Sequence, residues 1–131
     1  MVAIRRQGSL AVSSESVSFD HRGGVLVFTP PKSLEDLSED VTKTVAAMLD
    51  QHLEALPEPS VVVDLTGIEY FGSNFISLLL QIWGRVRMRQ GTMVIAGASH
   101  GARELLRLTN LDTLFALYDQ LDDALAALTV D

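Results

Sequence analysis

Three small or polar residues, Gly72-Ser73-Asn74, interrupt the stretch "DLTGIEYFGSNFISLLL" (64–80), between what reads as a strand end and a Leu-rich run with helical spacing. A hydroxyl and an amide at a helix start suit two kinds of chemistry. The N-terminal N–H groups can receive an anion or a phosphate carried on the hydroxyl, and small polar side chains can also cap those same donors. Ser73 is therefore read both as a plain N-cap and as a group to be modified or presented to a partner, with Asn74 filling the first turn. No catalytic set accompanies them. Gly72 and Asn74 flank Ser73 directly, which is not the G-x-S-x-G of a nucleophile elbow. The glycines here fit neither a dinucleotide fingerprint nor a phosphate loop. Asp64 and Glu69 are candidate paired carboxylates, but no neighbouring His or Lys gives them a role, and Asp64 most simply ends a strand. His21, His52 and His100 lack metal-ligand spacing. The sequence predicts no catalytic residues, no metal and no cofactor.

Composition narrows the classes further. The 131 residues, 47% hydrophobic and 21% charged, suit one domain with its own core. A net charge of −7 argues against a nucleic-acid surface, which needs clustered Lys and Arg. Arg85, Arg87 and Arg89 are a local exception, read as cations complementing the end of a helix dipole. Without cysteine there is neither disulfide nor thiolate chemistry. The longest nearly apolar run, Phe75 to Trp83, is broken by Ser77 and Gln81 and is too short to span a bilayer. Arg5-Arg6 is followed by "QGSLAVSSES", which has no sustained apolar stretch, so no export signal is read there. The expectation is a soluble, cytoplasmic protein with no membrane insertion.

The elements that must position the junction follow from hydrophobic period. Residues 1–14 are polar and unpatterned and are expected to form a flexible or loosely docked arm, leaving 15–131 as the domain. "SVSFD" alternates, and His21-Arg22-Gly23-Gly24 separates it from "VLVFT", which reads as a hairpin ended by Pro30-Pro31. Leu37, Val41, Val45, Met48, Leu49, His52, Leu53 and Leu56 recur at helical steps, with Ser33 or Ser38 as cap and Glu35, Asp36, Glu39 and Asp40 near its start. His52 falls on that apolar stripe as a boundary histidine, while His21 and His100 fall in loops. "VVVDL" is a β-branched run of the kind buried on both faces of a parallel sheet. The helix after it turns Phe75, Leu78, Leu79, Ile82 and Val86 inward and stops at Gly91, with Trp83 at its boundary. "TMVIA", a helix ended by Asn110, "LFALY" and an Ala-rich helix capped by Asp119 complete the chain. Strands are predicted near 16–20, 25–29, 61–65, 92–96 and 115–118. Helices are predicted near 38–56, 73–90, 100–109 and 120–128. This alternation means an α/β fold, a mostly parallel sheet with an antiparallel N-terminal hairpin strand and about four helices packed on it.

From Val17 to Leu128 the chain resembles a STAS domain, the fold of bacterial anti-sigma factor antagonists. The resemblance is carried by "VVVDLTGIEYFGSNFISLLL", by "RVRMRQGTMVIAGAS" and by "RELLRLTNLDTLFALYDQLDDALAAL". The first is similar to the family's strand, its D-L-S-G-V, its D-S-S-G-L-G and its Leu-rich helix. The resemblance implies a non-enzymatic binding protein whose partner is an anti-sigma factor that is also a serine kinase. It further implies a switch, in which phosphate on a serine at the start of the second helix abolishes binding. In the gapless register Gly72 stands at the motif's Asp, Ser73 at its first Ser and Asn74 at the phosphoacceptor, and Phe75 and Ser77 replace its two glycines. Sliding by one residue would place Ser73 at the acceptor. The expected partner-binding and switch residues are thus Gly72, Ser73, Asn74, Phe75 and Ser77, with Ser73 as the one alternative acceptor. Two other readings stay open: a STAS subunit of a sensory or lipid-transport ATPase assembly, and a module holding a nucleotide or lipid near Gly72.

Overall fold

The strands β1 (Ser18–Arg22) and β2 (Val25–Thr29) form the expected hairpin in the computed structural model, which describes residues 17–31 and 38–129. The arm at 1–14 and the Ser33, Glu35 and Asp36 end of the first helix lie outside the described residues. The first strand runs two residues beyond its expected end because the turn is only Gly23-Gly24, whose φ angles of 57° and 84° let the chain reverse at once. His21 therefore belongs to β1 and not to a loop.

After the hairpin come α1 (Glu39–Glu54), β3 (Ser60–Asp64), α2 (Ser73–Met88), β4 (Thr92–Ala96), α3 (His100–Leu108), a 3-10 turn (Leu111–Thr113), β5 (Ala116–Tyr118) and α4 (Leu121–Leu128). The strands lie in the order β1-β2-β3-β4-β5, antiparallel between β1 and β2 and parallel elsewhere. Because each parallel strand is laid beside the previous one in the same direction, crossovers of one hand put α1, α2 and α3 on one face. The core shows this. Leu26, Phe28, Val61, Val63, Met93 and Ile95 point to the side packed by Leu49, Leu53, Leu78, Leu79, Ile82 and Leu106. Val25, Val62, Val94 and Ala96 point the other way, onto Ala124, Leu121, Leu125 and Leu128 of α4. Val61, Val62 and Val63 are all 0% exposed, as a run buried on both faces requires.

At the helix ends one expected cap, Ser38, is found and three other expectations are corrected. Ser38 caps α1, its hydroxyl accepting from the Val41 N–H at 3.1 Å. The stop of α2, expected at Gly91, comes one residue earlier. Gln90 takes the left-handed conformation (φ 61°), its N–H and that of Gly91 donating to the carbonyls of Arg87 and Val86, both at 2.9 Å. Asp119 does not cap α4, whose N-cap is Gln120 without a side-chain bond. Asp119 accepts instead from Arg103 of α3 at 2.7 Å, so the ion pair takes the carboxylate that the helix start would have used. His100 is the first residue of α3 and not a loop residue, because Ser99 caps that helix.

An exposed non-glycine residue in the left-handed region carries a backbone cost of about 1–2 kcal/mol, against a smaller entropic cost for glycine there. Gln90→Gly is therefore expected to raise stability in urea unfolding by roughly 0.5–1 kcal/mol. A lowered midpoint would show that the Gln90 side chain holds the turn by contacts that outweigh its strain.

Candidate functional site

The Gly72-Ser73-Asn74 junction lies at the C-terminal end of β3, the end of parallel strands from which connecting loops form binding surfaces. The loop that carries it, 65–72, is fixed from below by Leu65, Ile68 and Phe71, which are 0%, 1% and 1% exposed. Phe71 meets Phe75 of α2 with ring centroids 5.2 Å apart. At the loop's start, an Asp64 carboxylate oxygen accepts from the Thr66 N–H at 3.0 Å and the Thr66 hydroxyl at 2.7 Å. Asp64 is thus engaged in shaping a turn. Gly97, in the next loop, presses on this turn: it has φ +75°, and a Cβ there would lie 2.2 Å from the Thr66 Oγ1. Ser99 ties the two loops together. Its hydroxyl donates to the Ile68 carbonyl at 3.2 Å and accepts from the Ala102 N–H at 3.1 Å, capping α3 in the same stroke.

On this base the sequence-predicted residues divide. Ser73, Asn74 and Ser77 are exposed and Gly72 is half-buried at the rim. Phe75 is 0% exposed and supports the junction from within the core. Ser77 accepts a hydrogen bond from the Gln81 side-chain amide at 3.2 Å. The N-cap of α2 is Gly72, without a side-chain hydrogen bond, so Ser73 is not the plain cap that its residue type suggested. The reason is positional: Gly72 holds the extended cap conformation (φ −111°, ψ −163°), and Ser73 is already inside the helix. The first turn of α2 carries no acidic residue. The result is a neutral, solvent-facing helix start whose cap residue offers its N–H groups no side-chain acceptor.

Two residues near this surface, Tyr70 and Leu80, were passed over as candidates in the sequence. Tyr70 is 58% exposed beside the buried Phe71, and Glu69 is exposed next to it. The signal for Tyr70 was present in the spacing of Ile68 and Phe71, which leaves the residues between them pointing outward. Leu80, 40% exposed, lies on the same helix as Ser73 and Ser77. Trp83 packs at the boundary, edge-on to Phe115 at 6.3 Å and under the Arg87 guanidinium at 4.9 Å. Arg85 is drawn to Asp50 of α1 at 2.9 Å in addition to lying in the last turn of α2. Among the described residues no group of three or more His, Cys, Asp or Glu converges to hold a metal, and no helix is long and apolar enough to cross a membrane.

The family model described as "Mlab, STAS domain" matches residues 36–119, which includes β3, α2 and the junction between them. The chain belongs to the STAS domain family. Its fold is similar to that of an anti-sigma-factor antagonist (STAS) domain protein from Planctomyces limnophilus, at 28% identity and TM-score 0.75, over 87% of this chain and 98% of that one. An anti-sigma factor antagonist from Mycobacterium paratuberculosis is similar at 26% identity and TM-score 0.61, over 86% of this chain and 92% of that one. The fold is also that of the anti-sigma factor antagonist SpoIIAA in its unphosphorylated form, with TM-score 0.68 at 10% identity, over 86% and 96% of the two chains. No curated protein matches the sequence.

The contact between Gly97 and the Thr66 turn gives a direct test of how the loop is held. Gly97→Ala adds a methyl group both at a left-handed position and into the Thr66 hydroxyl, and is expected to cost about 2–3 kcal/mol in denaturant unfolding. A cost below about 1 kcal/mol would mean that the loop yields and does not set the position of α2.

Proposed function

We propose that the protein is a non-enzymatic regulator of the anti-sigma factor antagonist type, acting in the cytoplasm. In this reading it binds an anti-sigma factor or serine-kinase-like protein through Gly72, Ser73, Asn74, Ser77 and the adjoining face of α2, with Phe75 holding the junction from beneath. The observation that carries the reading is the start of α2: exposed, neutral and without a side-chain cap, in a chain of the STAS family. A partner surface laid there meets N–H donors and small polar side chains and has no fixed charge to desolvate in the helix's first turn. The gapless register puts an amide, Asn74, where the resembled motif has its acceptor, and an amide takes no phosphate from a serine kinase. The phosphoswitch is then lost, or moved to Ser73, whose exposed hydroxyl is not used as the N-cap.

A second reading is favoured by the match to the Mlab STAS family. In it the chain is a STAS subunit seated in a sensory or lipid-transport ATPase assembly, where no phosphoswitch is needed. Affinity capture from the source cell, with mass spectrometry of what co-purifies, separates the two: a sigma-regulating kinase supports the first and an ATPase subunit the second.

With the captured partner in hand, Asn74→Asp separates binding from helix stability. A negative charge in the uncapped first turn of α2 should stabilise the isolated fold by about 0.3–1 kcal/mol. At a packed interface the same charge costs on the order of 1–3 kcal/mol to desolvate, which is roughly a tenfold to hundredfold weaker complex in calorimetric titration. The melting temperature should hold or rise while affinity falls. Unchanged affinity for both Asn74→Asp and Ser77→Glu would show that the junction only starts a helix.

The chemistry of the acceptor position has its own check. After incubation with ATP and the cognate kinase, tandem mass spectrometry should find phosphate on Ser73 or on no residue of this segment. Phosphate on Thr66 or Ser77 would overturn the register.

A further inference from the structure

His21 on β1 and His52 on α1 are separated by 31 residues in sequence, yet their ring nitrogens, Nε2 and Nδ1, lie 2.9 Å apart. The rings are 5.1 Å apart at their centroids, and the His52 ring also stacks on Phe19 at 4.7 Å, which in turn stacks on Phe28 of β2 at 5.2 Å. His21 is exposed and His52 half-buried, so the pair is the outermost step of an aromatic column that rises from the core. Among the described residues β1 is an edge strand, hydrogen-bonded to β2 alone, and the column attaches it by side chains to α1. The pair lies toward the N-terminal ends of the parallel strands, because His21 is in register with Leu26, and Leu26 with Val61. The α2 junction is at the opposite ends, so a role for the histidine pair is independent of the partner-binding reading.

We propose that His21 and His52 form a proton-operated clasp, which holds the edge strand β1 against α1 at neutral pH and opens when both imidazoles become charged. The contact needs one N–H and one lone pair. With no added proton, one ring donates and the other accepts. With one added proton, an N–H still faces a lone pair, so the contact survives. With two added protons, N–H faces N–H and two positive rings confront each other at hydrogen-bond distance, so the contact turns from attractive to repulsive.

The charged neighbour that acts on His52 is His21, with no described carboxylate beside it, and Glu58 in the loop before β3 is exposed. On β1, Asp20 is paired with Arg22 at 2.7 Å, and β2 (VLVFT) carries no titratable side chain. On α1, Asp50 is held by Arg85 at 2.9 Å. Glu54 is two residues from His52, about 200° around the helix and on another face. Lys43, Glu39 and Asp40 lie at the far end of α1. Burial of His52, and then the charge of His21, lowers the affinity of the His52 ring for its proton. The direction of the linkage is set by that shift. The unfolded chain binds a proton at position 52 more readily than the folded one, so the stabilisation is complete above the ordinary imidazole value of about 6.5 and is lost as pH falls from there through the lower folded value. Ordinary carboxylates titrate below most of this window, and the Glu104 carboxyl, hydrogen-bonded to Arg107, titrates lower than usual.

The test is hydrogen exchange of the β1 amides in the full chain, normalised to those of β4, at pH 7.5 and pH 5.5, together with NMR titration of both imidazoles. In the native protein, β1 opening relative to β4 should increase by more than about twofold over this range, toward the ceiling of about tenfold that one linked proton sets. In His52→Gln, which keeps a donor and an acceptor but has no titration, the relative opening should change less than about twofold. In His21→Gln the His52 ring should take its proton at a higher pH than in the native protein. Equal pH dependence of β1 opening in the native protein and His52→Gln, or independent titration of the two rings, would overturn the clasp.

Discussion

Val61, Val62 and Val63 sit in the middle of the sheet with no side chain reaching solvent on either face, and the remainder of the fold is arranged around covering them. Burying a valine side chain is worth roughly 1.5–3 kcal/mol, but only if both faces are roofed. One face is covered by α1, α2 and α3, delivered there by successive parallel crossovers. Among the described residues, the other is covered by the eight residues of α4, placed on Val25, Val62, Val94 and Ala96 by the turn after β5. The single edge-strand hairpin, β1–β2, then extends the sheet on the side away from β5.

That arrangement explains why α2 can begin without a side-chain cap. A cap contributes about 1 kcal/mol, whereas each buried large apolar side chain contributes more. Phe75, Leu78, Leu79, Ile82 and Val86 are all fully buried, so α2 is held by its inner face whatever stands at its first residue. Its N-terminus is free of a structural duty that helices of weaker packing must satisfy. Leu65, Ile68 and Phe71 do the same for the loop before it, and this leaves Thr66, Glu69, Tyr70, Ser73 and Asn74 facing solvent on a rigid support.

Electrostatics has a smaller part in the fold. Arg85–Asp50 joins α1 to α2 and Arg103–Asp119 joins α3 to the start of α4, but each has at least one partner more than a third exposed, where ion pairs contribute little. Two of the polar contacts that fix geometry are local ones to backbone, Asp64 with Thr66 in a turn and Ser38 with Val41 at a helix start, while Ser99 with Ile68 joins two loops 31 residues apart. Each supports an element already held by apolar burial.

Whatever depends on neighbours a few residues apart was legible in the amino-acid order alone. The period of Val45, Leu49 and Leu53, the β-branched run at 61–63 and the punctuation by Gly, Pro and Asn sufficed for every described strand and α-helix and for the parallel sheet, but not for the 3-10 turn at Leu111–Thr113. The segments 61–80 and 103–128, taken together, carried the family resemblance. Packing settled which distant residues meet. Ser73 read as a cap because Ser is a good cap, but the backbone gave that place to Gly72, since the buried Phe75 and Leu78 fix the helix's rotation and start. Asp119 read as a cap until Arg103 reached it. His52 read as an unremarkable boundary residue, and His21 as part of a loop, until a two-residue turn carried His21 into β1 and packing brought the rings together. Local pattern follows from the 3.6- and two-residue periods that any segment shows alone. Pairings across 31 residues follow only from how the whole core closes.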